Sequence, residues 1–130
     1  MERHMNPPTL NKDVHGNYII TQLEGIIKTY KANLSYLENS RGKRTELLEV
    51  IERKETSTRG NYLRLLNKRD KTEEEHEALD SAIQEIERMY VSLPSVERRI
   101  RDTERRLQAV YPPDFMEVVN TEYEKLKGDF

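Results

Sequence analysis

From Ile20 to Tyr111 the apolar residues recur at alternating steps of three and four without a change of phase. The stripe runs Ile20, Leu23, Ile27, Tyr30, Leu34, Leu37, then Leu48, Ile51, Tyr62, Leu65, then Leu79, Ile83, Ile86, Tyr90, Leu93, Ile100, Leu107 and Tyr111. A mean step of about 3.5 residues keeps one face of a long helix against one neighbour, whereas a strand would alternate every second residue. Polar residues interrupt the stripe but do not shift it: Arg41, Arg44, Glu55, Thr58, Arg69, Thr72, His76, Glu97 and Glu104 hold the same phase. In heptad letters, the first residue of each pair is a and the second is d. A third apolar column stands at g, with Ile19, Ile26, Leu47, Ala82, Met89, Val96 and Val110. The buried face is therefore wider than a two-helix seam needs.

A stripe of this length has to find a partner, and the chain can supply its own by turning back. The segment "NKRDKTEEEHEAL" carries the turn signal: polar Asn67 to Lys71, then Thr72 with Glu75 three residues on, the spacing of a capping box. A turn there pairs residues whose numbers sum to about 141. Leu34 then meets Leu107, Leu48 meets Leu93, Ile51 meets Tyr90, Tyr62 meets Leu79 and Tyr30 meets Tyr111. The misplaced charges match as well, Arg44 opposite Glu97 and Arg41 near Glu104. An unpaired charge in a seam is costly, so the Arg44–Glu97 pair is expected to fix the register.

Three places threaten continuity. Gly42 and Gly60 each weaken a helix by about 1 kcal/mol relative to Ala, and a break at either would give a shorter three-helix bundle. The phase runs through both. Pro94 removes a backbone donor and crowds the preceding turn, so the sequence predicts a kink that keeps both halves on one partner, or else two helices with Ser92 capping the second. Pro112 and Pro113 end the long helix, and Asp114 opens a short one with Phe115, Val118, Val119, Glu122, Tyr123 and Leu126 on its face. That helix is expected to cover the start of the first, Phe115 and Val118 lying near Ile26 and Leu23.

The expected fold is therefore all-α: a long antiparallel coiled-coil helical hairpin, kinked at Pro94, with a short C-terminal helix. Two copies would make a four-helix bundle. Residues 1–16 lack periodicity and read as a disordered leader to a single domain, 17–130, with helices over 17–69, 73–111 and 114–127 and a turn at 70–72. Composition agrees, since 35% charged and 35% hydrophobic residues suit narrow stripes on long helices. No run of about 18 apolar residues is present to span a membrane. The absence of Cys fits a reducing, intracellular setting, cytoplasmic or nuclear.

Chemistry-bearing motifs are scarce. His4, His15 and His76 have no second ligand at helical spacing, and no phosphate loop or nucleophile motif occurs, so neither metal, cofactor nor catalysis is expected. Many carboxylates face a base one turn on, as in Glu24–Lys28, Glu49–Arg53, Glu97–Arg101 and Asp102–Arg106, pairs worth about 0.2–0.5 kcal/mol each to a helix. Two surfaces remain. The wide stripe suits other helices, which predicts a non-catalytic protein-binding scaffold or assembly subunit, most simply a homodimer. The alternative is a nucleic-acid accessory role on the basic face of Arg98, Arg99, Arg101, Arg105 and Arg106, with Lys68, Arg69 and Lys71 as a second patch. A net charge of −2 opposes that alternative.

Overall fold

The computed structural model describes residues 5–67 and 72–128. These form three helices, α1 (Ile20–Leu66), α2 (Glu73–Val110) and α3 (Pro113–Gly128). The described residues are all-helical apart from the approach to α1 and the connections. The expected turn at 70–72 lies outside the described residues except for Thr72.

Local rules explain the helix ends. The Thr72 hydroxyl accepts from the Glu75 N–H at 3.1 Å, and the Thr72 N–H donates to the Glu75 carboxylate at 3.4 Å, closing a capping box. Glu73, Glu74 and Glu75 then place negative charge at the positive end of the α2 dipole. Pro113 opens α3, where its missing N–H is no loss, and the Met116 N–H takes the Pro112 carbonyl at 2.9 Å. Lys125 and Lys127 suit the negative end of α3.

Neither glycine breaks α1, and α2 continues through Pro94, which lies on an exposed face. Ser92 caps no second helix. Its hydroxyl donates instead to the Arg88 carbonyl at 3.1 Å, one turn back in the same helix. A Cβ added at Gly42 or Gly60 meets nothing within 4 Å. Gly42→Ala and Gly60→Ala should therefore each stabilise the fold by roughly 0.5–1 kcal/mol, seen as a higher urea midpoint. A lower midpoint would mean that these turns of α1 need glycine's freedom.

The chain divides into two compact units, one of residues up to Asn39 with those from Ile100 on, the other Ser40–Arg99. The first holds the main core. Leu23 and Val119 are fully buried, with Ile26, Tyr111 and Met116 around them. Tyr30 and Tyr111 meet as expected, ring centroids 5.6 Å apart at 45°. Helix α3 does cover the start of α1, but with a rotated face. Met116 and Val119 are buried and Phe115, Tyr123 and Leu126 pack against them, while Val118 is 44% exposed. Spacing of 116, 119, 123 and 126 makes the better helical stripe, which puts Val118 on the flank.

The approach to α1 is not the structureless leader that its lack of periodicity predicts. The Asp13 carboxylate accepts from the N–H groups of His15 and Asn17, the Asp13 N–H donates to the Asn17 carbonyl, and Gly16 closes the turn at φ 79°. Gln22 on α1 ties the segment down from both ends of its amide, donating to the Thr9 carbonyl at 2.8 Å and accepting from the Asn11 N–H at 2.9 Å. Leu10 and Tyr18 pack on the core, and Lys12 sits 4.8 Å from the centre of the Tyr18 ring. Structured backbone thus begins ahead of α1, and the helix itself starts at Ile20 rather than at residue 17.

Candidate functional site: an apolar groove on the second unit

Within Ser40–Arg99, α1 and α2 run antiparallel, and close pairings fall near the expected register. Lys54 meets Glu85 at 2.6 Å, and Tyr62 and Leu79 line one groove together. The Tyr90 hydroxyl donates to the Glu55 carboxylate. The expected pair of Arg44 and Glu97 is not among the ion pairs between described residues; Arg44 is half-buried and Glu97 exposed. Two long side chains near water gain little by meeting, about 0–1 kcal/mol, which is too little to hold them together. Lys54–Glu85 is half-exposed too, so it marks the register more than it enforces it.

The stripe is divided here in a way that periodicity alone does not reveal. Ile51 and Leu65, both at d, are buried; Thr58, Leu79, Ile86 and Leu93, also at d, are half-buried. The g residues Leu47, Ala82, Met89 and Val96 are half-buried as well. At a, by contrast, Leu48, Tyr62, Ile83 and Tyr90 are 41–48% exposed. Helix contact in this unit is centred between d and g, and the a column is left outside. Small Ala78 and Ala82 line the g flank and allow the helices to approach there, while the a column carries two tyrosines whose hydroxyls are better left near water.

The outcome is an open groove of about 420 Å³ on the a side. Thr58, Leu79 and Ile86 lie deepest, Tyr62, Ile83 and Tyr90 stand half-exposed around them, and Glu55, Arg59 and Glu87 supply polar atoms. The opposite flank has a cleft of about 120 Å³ lined by Asn61, Arg64, Glu75, Ala78 and Ala82, with Thr58 and Leu79 shared between the two. Of these two concavities, the a-side groove is the one bordered by the exposed Tyr62, Ile83 and Tyr90.

The titration of Tyr90 is displaced upward. Its hydrogen bond to Glu55, then slight loss of water, then repulsion from the Glu55 charge all hold its phenol above the ordinary value near 10. Because the bonded form is the neutral phenol, the contact is present below that ordinary value and is lost as pH rises through the raised one. Glu55→Ala should return Tyr90 to ordinary titration, read from the ring Cζ signal in NMR. An unchanged midpoint would remove Glu55 as the cause.

The remaining predicted seam residues lie in the first unit. Leu23, Ile100 and Tyr111 are buried there, and Ile20, Ile27, Tyr30, Leu34 and Leu107 half-buried, so they serve its own core. Arg98, Arg99, Arg101, Arg105 and Arg106 are all exposed on α2. Lys68, Arg69 and Lys71 lie outside the described residues, as does His4. Among the described residues no group of three or more His, Asp or Glu is gathered to hold a metal ion, and no helix is long and apolar enough to cross a membrane. Sequence reasoning named the groove residues as part of the interaction seam; spacing alone does not show that Tyr62, Ile83 and Tyr90 stand outside the helix contact. Compared with protein-family models, curated proteins and solved structures, the chain matches none, so the reading of this groove rests on its own geometry.

Proposed function

We propose that this chain is a non-catalytic coiled-coil helical hairpin that works as a protein-interaction module, a scaffold or assembly subunit, by offering the a-side groove of its second unit to another helix. The observation that carries the reading is the exposure of Tyr62, Ile83 and Tyr90 around one concave, largely apolar surface. Aromatic and branched apolar side chains left half in water on a groove are the usual material of binding anchors. A second copy of the chain is one occupant, giving a four-helix dimer about a two-fold axis.

Sedimentation equilibrium over a wide concentration range, at low and high salt, tests self-association. A salt-resistant dimer that Ile83→Asp dissolves would support a self-assembling module. A monomer of 15.4 kDa would send the groove to a different protein. The nucleic-acid reading has one supporting observation, the exposure of all five arginines between Arg98 and Arg106. It predicts salt-sensitive binding to DNA or RNA that Arg98→Ala with Arg105→Ala weakens. Asp102, exposed between them, and the net charge of −2 argue against it.

A further inference from the structure

We infer that the groove's partner is a basic amphipathic helix of another protein, an inference that rests on the groove being an interaction site. The argument is the charge around the apolar centre. Half-buried Glu55 and exposed Arg59 and Glu87 line the groove, and the heptad places exposed Glu52 and Asp80 at the e positions next along its edges, so Arg59 is the one described cation among these a and e residues. The chain as a whole is nearly balanced at −2, so this rim is a local excess and not a reflection of composition. A second copy docked face to face would set two such rims against each other, and like charges in opposition cost several kcal/mol at a contact. A helix with apolar residues at i, i+3, i+4 and i+7 fits the groove, and Lys or Arg on its flanks meets the rim. The five exposed arginines of α2 do not supply that helix, because Arg98, Arg99, Arg101, Arg105 and Arg106 bring no exposed apolar residue with them.

The test uses the full chain and two synthetic helical peptides of about three heptads. Both carry Leu at a and d; one carries Lys at e and g, the other Glu. Fluorescence anisotropy is expected to give at least tenfold tighter binding of the Lys peptide, weakened by salt. Ile83→Asp should abolish binding of either peptide. Glu52→Lys with Glu87→Lys should reverse the preference, whereas Glu117→Lys with Glu124→Lys, the same charge change placed on α3, should leave it unchanged. Equal affinity for the two peptides, still lost on Ile83→Asp, would overturn the basic-helix inference and leave the groove standing. Binding of neither peptide, or binding untouched by Ile83→Asp, would overturn both. A salt-resistant homodimer dissolved by Ile83→Asp would hand the groove to a second copy and overturn the basic partner.

Discussion

Leu23→Ala is expected to lower stability by about 3 kcal/mol, within the 2–5 kcal/mol usual for emptying a buried leucine site. Leu23 is fully buried at the point where α1, α3 and the end of α2 meet, against Val119, Ile26, Tyr111 and Met116. Removing its isobutyl end costs the transfer of that apolar surface and also leaves a cavity. Neighbours can fill it only by moving three helical segments together. The loss should appear as a lower urea midpoint with an unchanged slope. A loss below about 1 kcal/mol would mean that α3 collapses onto the gap, and that the core is softer than its burial implies.

The second large effect is expected in the other unit. Of the nine buried apolar side chains among the described residues, only Ile51 and Leu65 belong to Ser40–Arg99. Ile51→Asp therefore places a carboxylate at one of two buried apolar positions, with little else to hold the helices together. An unpaired buried charge costs several kcal/mol, or must be neutralised or hydrated by opening the contact. Amide hydrogen exchange should speed up sharply over 40–66 and 73–99, while the amides around Leu23 and Val119 stay protected. Uniform loss of protection would show the chain to be a single cooperative unit. Ile83→Asp, at a position 41% exposed, should change exchange little, and that is what makes it a clean probe of binding.

These contrasts indicate how far the sequence could be read. The all-helical class, the capping box of Thr72 and Glu75 and the meeting of Tyr30 with Tyr111 were legible, because each depends on spacing along a helix, whereas spacing left open whether Gly42 or Gly60 breaks α1. What spacing also leaves open is rotation. A heptad stripe names the residues that share a face, but a small turn of each helix about its axis decides whether a or g lies beside d. In the second unit that turn leaves Tyr62, Ile83 and Tyr90 outside; in α3 it exchanges Val118 for Met116. The Asp13 turn escaped for a different reason. Its order comes from one carboxylate, one glycine and the Gln22 amide, and polar contacts of that kind have no period to detect.

The tilted pair of Tyr30 and Tyr111 also makes the protein its own spectroscopic reporter. The chain has no tryptophan, so tyrosines dominate its absorption near 280 nm. Two phenol chromophores held 5.6 Å apart at a fixed tilt couple their transitions, and a rigid chiral pair of this kind gives circular dichroism in the aromatic region. The groove tyrosines Tyr62 and Tyr90 stand half in water, Tyr90 tied to Glu55 through its hydroxyl, and their contribution to that band grows when something binds over them. The same spectrum can therefore follow the melting of the Leu23 core by loss of signal and the filling of the groove by its gain, with no dye attached.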